Sequence, residues 1–409
     1  MKVILSGGAT GGSVTPLLSV ANELNKKIQG NVDFLFIGTK KGYPERVLVE
    51  RSEMEYHGIH SGKLRRYFAW QNFLDPFKII LGFFESLFIL LKYRPDVIFS
   101  AGGFVSVPLI WAGFFLGIPT VIHQQDIRPS LSNKLTSCLA KKITVSFKKS
   151  LNDFPKTKTI LTGNPVRKEI LLGNKERAIK RFNLERNLPT ILVIGGGTGA
   201  EKINQLIFSI IPQLVEFCQV IHLTGKDKLS RFAGSRTAGK INSRYHSYEF
   251  LTEEIADAYA AADLVISRAG MGVLTELAVL AKPAIIIPIP QSHQEANALY
   301  FAKNKAIILL NQAEGAEELR RSVEDPEERK RRRVEDLFEP EPQSRRPEEP
   351  RRRAELTPEV FLPKIKKVLN SQELLSDLSR NISSLAQKRA GEKIAEIISS
   401  VAKINSKYL

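Results

Sequence analysis

One local pattern recurs along this chain and restricts its fold more than any other feature. A short apolar strand runs into a glycine-rich loop, and a helix begins directly after the loop. The pattern occurs at residues 2–13 (KVILSGGATGGS), at 190–200 (TILVIGGGTGA) and at 264–272 (LVISRAGMG). Because strands that alternate with helices form parallel sheets, whose loops gather at the carboxyl edge, the pattern predicts an α/β fold with ligand sites at that edge.

Two such halves predict two Rossmann-like domains whose glycine loops face each other across a cleft. The first domain is predicted to span 1–165 and the second 166–370. The turn-forming segment Gly163-Asn164-Pro165-Val166-Arg167 lies at the boundary. A final amphipathic helix is expected at about 372–402, within a C-terminal segment 371–409.

The third glycine loop carries the strongest ligand signal. A helix expected over 273–281 would present free N–H groups and its dipole to a phosphate, while Glu276 accepts hydrogen bonds from sugar hydroxyls. The next strand, expected at 284–289, delivers residues 291–294 and Asn297 to the same edge. The pattern indicates a sugar-nucleotide pocket. On these residues alone, the alternative is a plain strand-to-helix turn with Glu276 as an ordinary helix carboxylate.

The N-terminal half supplies three loops at its own sheet edge. Glycines follow the first strand, Gly102 and Gly103 follow a strand expected at 96–100, and Gln124, Gln125 and Asp126 follow one at 120–123. The first loop matches neither the dinucleotide fingerprint nor the Walker motif, which disfavours an NAD-dependent oxidoreductase.

The formal net charge of +17 and the pI near 9.7 predict attraction to polyanions, namely nucleic acid, anionic lipid or phosphorylated substrates. A basic and aromatic segment at 63–94 favours a membrane surface, with the candidate patch Phe68, Trp70, Phe73, Leu74 and Phe77 entering the interface. Its apolar run, residues 79–91, is too short to cross a bilayer. The alternative for residues 80–91 is a buried core helix.

Residues 315–355 mix both charge signs with proline and almost no apolar side chains, which predicts a disordered insertion. A nucleic-acid-binding arm is the alternative, and the interleaved glutamates oppose it. Cys138 and Cys218 lie far apart without metal-ligand spacing, which fits a reducing compartment. The start MKVILSGG has no secretory apolar region, so a cytoplasmic protein is expected.

Nine short motifs, in order, resemble the MurG family of N-acetylglucosaminyltransferases. They are GGATGG (7–12), AGGFVSVP (101–108), HQQD (123–126), TGNPVR (162–167), GGGTGA (195–200), LTGK (223–226), YEFL (248–251), SRAGMGVLTEL (267–277) and HQEANA (293–298). The resemblance implies a GT-B fold, a C-terminal helix that returns to the first domain, inversion at the donor carbon, and transfer without a metal or other cofactor.

The resemblance also implies roles for individual positions. UDP-N-acetylglucosamine would place its uracil on the Leu251 backbone and its ribose on Glu276. Its remaining contacts would come from the residues Thr10, Gly11, Gly12, Asp126, Arg167, Thr198, Gly270, Met271, Gly272, Gln294 and Asn297. The acceptor would be a polyprenyl-pyrophosphate-linked muramyl sugar, with its pyrophosphate at Gly11, Gly12, Gly102 and Gly103. The enzyme would sit peripherally on an anionic membrane at its cytoplasmic face, without nucleic acid.

Three positions depart from the family pattern. Gln124 stands where the family has glutamate. Ser13 stands where the family has a histidine that is a candidate general base, and a neutral serine is a poor proton acceptor near neutral pH. Asp126 stands where the family has asparagine. We therefore expect catalysis to involve Ser13 or Asp126, with Asp126 accepting the proton or orienting the attacking hydroxyl. In the alternative, Asp126 binds donor-sugar hydroxyls. Rival functions are transfer to another lipid acceptor and sugar-nucleotide binding without catalysis.

Overall fold

A computed structural model describes residues 1–8, 11–29, 32–42, 45–62, 71–195, 200–226, 228, 243–311 and 356–406. Within these ranges the chain forms two parallel β-sheets, one of seven strands and one of six. Each sheet is covered by helices on both faces, which buries near-continuous runs such as Val3–Leu5 and Ile191–Val193. The predicted pair of Rossmann-like domains is confirmed.

The first sheet and its helices extend from Lys2 to Leu161. Their bounds are β1 Lys2–Ser6, α1 Gly11–Lys27, β2 Asp33–Thr39, α2 Glu45–Glu50, β3 Glu55–Ile59, α3 Gln71–Tyr93, β4 Val97–Ser100, α4 Ser106–Phe115, β5 Thr120–Gln124, α5 Leu131–Thr136, β6 Lys142–Val145 and β7 Thr159–Leu161.

The second sheet begins at Thr190, after a connection that includes α6 Lys175–Arg181. Its elements are β8 Thr190–Ile194, α7 Glu201–Leu214, β9 Gln219–Leu223, β10 Tyr245–Tyr248, α8 Ile255–Ala261, β11 Leu264–Ser267, α9 Met271–Val279, β12 Ala284–Ile286, α10 His293–Lys303 and β13 Ile308–Leu309. Three C-terminal helices follow, namely α11 Pro358–Leu369, α12 Gln372–Ser384 and α13 Ala390–Ser406.

Strand order places the glycine loops where ligands bind in such folds. The sheets run β3-β2-β1-β4-β5-β6-β7 and β10-β9-β8-β11-β12-β13, so the order reverses between β1 and β4 and between β8 and β11. Ser6 pairs with Ser100, and Ile194 pairs with Ser267. The loops that leave these strands therefore start side by side at the switch point of each sheet, where the crevice lies.

Within the described ranges, the chain crosses between the domains twice. The first crossing is the connection after β7. The second follows α12, because α11 and α12 pack on the second domain's core, whereas Ile394 and Ile398 of α13 pack with Val3 and Leu17 of the first. The two crossings touch, since a Cβ built on Gly163 would lie 2.2 Å from the Cβ of Gln387.

The single C-terminal helix expected over 372–402 was wrong. The helix is interrupted between Ser384 and Ala390, where Arg389 has a φ of 61°. The break lets one apolar pattern serve two cores, since Ile382 lies in the second domain and Ile394 in the first. Of the three C-terminal helices described, α13 is the one whose apolar residues join the first domain's core.

Two helices also begin earlier than the glycines indicated. Helix α1 starts at Gly11 although Pro16 lies inside it, because Val14, Leu17 and Val20 are fully buried and hold the helix against the sheet. Helix α9 starts at Met271, so Met271 and Gly272 belong to its first turn. The sequence prediction missed the strands Glu55–Ile59, Lys142–Val145 and Ile308–Leu309.

Helix α3 is apolar on two faces. Leu90 is buried in the first domain's core, and Gly82 lets the helix approach β3 so closely that an added Cβ would meet the His60 carbonyl oxygen. The opposite face is open, and we call it the apolar face of α3: Phe77, Ile80, Leu81, Phe84, Phe88 and Leu91 are all more than 45% exposed. The alternative of a buried core helix over residues 80–91 therefore holds for one face of α3 and is wrong for the other. No helix in the described ranges is long and apolar enough to span a membrane.

Some predicted features lie outside the described residues: Thr10, Thr198, Phe68, Trp70 and the insertion 315–355. The same holds for the side chains of Phe73 and Leu74.

Candidate active site

The start of helix α9 is an open, glycine-lined surface. Gly270 is the N-cap, with an ordinary φ of −67°, and Met271 is buried beneath it. A Cβ built on Gly270 or Gly272 would meet no described atom within 4 Å. Neither turn geometry nor packing by the described residues therefore requires glycine here. What the missing side chains provide is access of an outside group to the helix N–H groups, where an anion is favoured.

Glu276 lies in the second turn of α9 and is half-buried. Its Oε2 accepts a hydrogen bond of 2.9 Å from the hydroxyl of fully buried Tyr259. Burial raises the pKa of the Glu276 carboxyl, while the charge of Arg167 and the Tyr259 hydrogen bond oppose that rise. Arg167 is exposed at the domain boundary. A carboxylate held in a recess beside a cation suits recognition of sugar hydroxyls.

Gln294 and Leu251 lie at the carboxyl edge of the second sheet. Gln294 stands in the first turn of α10, and its Oε1 accepts a hydrogen bond of 3.2 Å from Ile289 N. Leu251 follows β10, which ends three residues earlier than its motif indicated. Its side chain is buried in the core, whereas that of neighbouring Phe250 is 56% exposed. The Leu251 side chain therefore anchors this loop from within.

The glycine loops of the first domain pack against each other. Gly102 and Gly103 have φ values of 86° and 90°, and a Cβ on Gly103 would lie 3.1 Å from Gly8 N. Gly102 N donates to Ser100 Oγ, and Gly103 N donates to Ser132 Oγ. Both amides are thus already hydrogen-bonded within the protein. These glycines serve the close approach of two loops.

Ser13 lies in the first turn of α1, beside exposed Gly12. Its Oγ donates to the Gly8 carbonyl oxygen at 3.4 Å, an interaction that holds the loop to the helix. The start of α1 carries Gly11 and Gly12 as the start of α9 carries Gly270 and Gly272. Each domain therefore presents a glycine-lined helix start at its switch point.

Asp126 meets the second domain directly. Its Oδ1 accepts a hydrogen bond of 2.9 Å from Asn297 Nδ2 of α10, and it is half-buried where the two domains touch. The structure thus brings Asp126, Asn297 and the turn before α9 together, because Asn297 Nδ2 also donates to Ala269 O.

His123 begins a buried chain of hydrogen bonds to α9. Its Nε2 lies 3.1 Å from Asn164 Oδ1, Asn164 Nδ2 donates to Thr275 Oγ1, and Thr275 donates to the Met271 carbonyl oxygen. Its Nδ1 pairs with the Thr144 hydroxyl at 2.9 Å. Burial lowers the pKa of His123 to about 4. The imidazole is therefore a neutral structural link at neutral pH.

This burial makes folding pH-dependent. His123 and His222 are fully buried, with pKa values lowered to about 4 and about 3, whereas an unfolded histidine titrates near 6.5. Below about pH 6.5 the unfolded chain binds the protons first, so stability is lost as the pH falls from there toward about 4 for His123 and about 3 for His222. We expect each histidine to contribute a slope approaching about 1.4 kcal/mol per pH unit.

Denaturant unfolding of the parent and of His123→Gln across that pH window measures the effect. The variant should lose one histidine's share of the dependence of the unfolding free energy on pH. An identical slope in the parent and His123→Gln would contradict the buried neutral imidazole.

The comparisons with known proteins agree on one family. Residues 3–145 match the glycosyltransferase family 28 N-terminal domain, and residues 190–345 match the glycosyltransferase family 28 C-terminal domain. A protein of Lachnoclostridium phytofermentans, named UDP-N-acetylglucosamine--N-acetylmuramyl-(pentapeptide) pyrophosphoryl-undecaprenol N-acetylglucosamine transferase, is 40% identical over 303 residues, 74% of this chain and 82% of that protein. The protein of the same name from Clostridium kluyveri is 38% identical over 315 residues, 76% of this chain and 86% of its own. The chain belongs to the MurG family.

The resemblance inferred from the nine motifs is therefore confirmed, and the chain is a glycosyltransferase. The crystal structure of Acinetobacter baumannii MurG, 22% identical, aligns with a TM-score of 0.65 over 98% of this chain and 99% of that one. This likeness supports the GT-B fold. Among the described residues, no cluster of three or more His, Cys, Asp or Glu side chains could hold a metal ion.

Motif matching to the MurG family missed three side chains of the site. Tyr259 orients Glu276, and Asn164 and Thr275 connect His123 to α9. Asn164 and Thr275 lie inside two of the nine motifs. They bond to each other across 111 residues of sequence, which no single motif can show. Tyr259 had a weak signal, since a large polar aromatic in an otherwise small-residue helix (IADAYAA) needs a buried partner for its hydroxyl.

Proposed function

We propose that this protein transfers N-acetylglucosamine from UDP-N-acetylglucosamine to the 4-hydroxyl of the muramyl sugar of undecaprenyl-pyrophosphoryl-N-acetylmuramyl-pentapeptide, with inversion. The observation that carries the proposal is the open start of α9, where Gly270 and Gly272 face no described atom and Glu276 follows one turn later. Its relatives' names specify this donor and this acceptor.

The donor half of the reaction uses the second domain. The diphosphate lies on the N–H groups of residues 270–272 with Arg167 beside it, the ribose on Glu276, the uracil at the Leu251 backbone and the sugar near Gln294. When the C1–O bond breaks, negative charge grows on the departing diphosphate. A fixed helix N-terminus and a guanidinium stabilise that charge without reorganising during the reaction.

The acceptor half uses the first domain. The acceptor pyrophosphate lies at the N–H groups that start α1, where Gly12 is exposed. Gly102 and Gly103, whose amides are hydrogen-bonded within the protein, form the wall beside it. As the 4-hydroxyl oxygen bonds to C1, its proton passes to Asp126. Ser13 has a structural role, because its hydroxyl is directed at the Gly8 carbonyl.

A transfer assay with radiolabelled UDP-N-acetylglucosamine and a lipid-linked muramyl acceptor tests the function. Label should appear in the lipid product with purified protein and not without acceptor. Transfer only to a different lipid would overturn the acceptor assignment. Donor binding with no transfer to any lipid would overturn catalysis.

The Glu276 assignment predicts a loss that depends on the ribose. Hydrogen bonds to a charged group contribute about 1.5–3 kcal/mol, so Glu276→Gln should raise the donor KM on the order of 10-fold to 100-fold. The 2′-deoxyribose analogue of the donor should be impaired far less by the substitution. Equal losses for both donors would remove Glu276 from the ribose.

We further propose that the apolar face of α3 rests in an anionic membrane surface on the cytoplasmic side. Phe84 and Phe88 are 59% and 70% exposed. Exposed Lys92 lies in the last turn of α3, and exposed Arg94 follows the helix. Aromatic side chains enter the interface while cations meet acidic headgroups. The same arrangement brings the protein to a polyprenyl-linked acceptor.

The double variant Phe84→Asp with Phe88→Asp should reduce co-sedimentation with anionic vesicles by more than about tenfold, since each buried phenylalanine contributes about 1.5–3 kcal/mol. Leu172→Asp is the matched control, because Leu172 is 70% exposed but lies outside this face. Transfer to a short-chain soluble acceptor should persist in both variants. Vesicle binding that survives in the double variant would contradict the proposal.

A further inference from the structure

The side-chain amide of Asn297 is fully buried where the two domains meet. Its Oδ1 accepts a hydrogen bond of 3.1 Å from Ile127 N, and its Nδ2 donates one of 2.9 Å to Asp126 Oδ1. Asn297 belongs to α10 of the second domain, whereas residues 126 and 127 follow β5 of the first. Both ends of one amide are therefore bound by adjacent residues of the other domain.

The second Nδ2 proton of Asn297 binds the turn that precedes α9. It is donated to Ala269 O at 3.3 Å, and Ala269 immediately precedes Gly270, the N-cap of α9. The opposite amide orientation would turn an oxygen toward both the Asp126 carboxylate and the Ala269 carbonyl, so the orientation is fixed. Both protons are used within the protein, and no donor remains for a sugar hydroxyl.

We propose that Asn297 is a positioning residue: its amide aligns the turn before α9 with the first domain when the cleft closes. This role replaces the expected contact with the donor sugar. The proposal rests on the proposed function only in assigning the donor diphosphate to that turn. Opening the cleft removes two of the three partners of a buried amide, so this contact favours the closed arrangement.

A second link joins the same elements. Thr275 of α9 accepts a hydrogen bond from Asn164, which in turn pairs with His123 of β5. Helix α9 is thus tied to the region of β5 through Thr275, and its preceding turn is tied to the residues after β5 through Asn297. With two points fixed, the start of α9 can turn relative to the first domain only about the line that joins them.

A polarity exchange tests the link. Asn297→Asp places a carboxylate oxygen against Asp126 Oδ1 and Ala269 O, so like charges should hold the cleft open. Adding Asp126→Asn restores a donor–acceptor pair of reversed polarity. We expect Asn297→Asp to weaken UDP-N-acetylglucosamine binding at least about tenfold, and the second change to recover most of that loss. Asp126→Ala, which removes the partner without repulsion, should shift binding in the same direction.

Domain separation is measured independently of transfer. Dyes on exposed Cys138 and on a cysteine replacing exposed Glu216 report the distance, while buried Cys218, with its pKa raised to about 12, stays unlabelled. Asn297→Asp should lengthen the distance, and the double variant should shorten it again. The control Asn304→Asp, directly after the same helix and bonded to Tyr300 O, should leave both the distance and donor binding unchanged.

Two results would overturn the proposal. Additive losses in the double variant would uncouple Asn297 from Asp126. Weaker donor binding in Asn297→Asp at the parental distance would return Asn297 to the donor sugar. A parent protein without transferase activity would instead contradict the proposed function, and the distance measurement would still decide the role of Asn297.

Discussion

Gly272→Val should abolish most donor binding while leaving the protein folded. The added side chain meets no described atom within 4 Å of its Cβ, so it projects into the space assigned to the diphosphate. Displacing the diphosphate removes hydrogen bonds from N–H groups to a charged ligand, each contributing about 1.5–3 kcal/mol. Losing two of them corresponds to a fall in donor affinity on the order of 10² to 10⁴.

Gly272→Ala sharpens this expectation, because glycine within a helix costs about 0.5–1 kcal/mol relative to alanine. The alanine variant should be at least as stable as the parent and still bind donor more weakly. Calorimetric titration with UDP-N-acetylglucosamine and thermal unfolding measure the two effects. As a contrast, Gly82→Ala forces a Cβ to within 2.0 Å of the His60 carbonyl oxygen and should lower stability. Parental donor affinity in Gly272→Val would remove the diphosphate from α9.

Asp126→Asn should lower kcat on the order of 10² to 10⁴, the contribution typical of a general base, with a small change in the donor KM. The substitution is nearly isosteric, and the new Oδ1 still accepts the hydrogen bond from Asn297 Nδ2. Domain contact is therefore retained and the charge alone is removed. Single-turnover kinetics with saturating acceptor separate the chemical step from binding.

Asp126→Glu is the companion variant, since it keeps the carboxylate but moves it by one methylene. It should retain more activity than Asp126→Asn if proton acceptance is the role. A raised donor KM with unchanged kcat in Asp126→Asn would assign Asp126 to the donor sugar instead.

The sequence predicted the features that depend on runs of neighbouring residues. Glycine loops after apolar strands located both switch points, and the nine motifs identified the family. Helix ends were less well predicted, because glycine signalled a turn at Gly11 and Gly272 where packing of Val14 and Leu274 extended the helix. There, burial outweighed local preference.

Features that depend on distant residues were not predictable. Asn297 is hydrogen-bonded to Asp126, 171 residues away, and a motif cannot indicate such a pairing. Helix α3 had the opposite difficulty. Its inner residue Leu90 and outer residue Phe88 are both apolar, so periodicity could not distinguish a buried face from an exposed one.

The contact between the two crossings has a mechanical consequence. Gly163 and Gln387 meet, so both covalent connections pass through one place, and a relative rotation of the domains about these connections has its axis there. In a rotation, displacement grows with distance from the axis. The domains therefore separate most at the side of the cleft farthest from Gly163 and Gln387, and least beside these two residues. A break in either connection would leave the other holding the domains together, but would free them to twist as well as to swing.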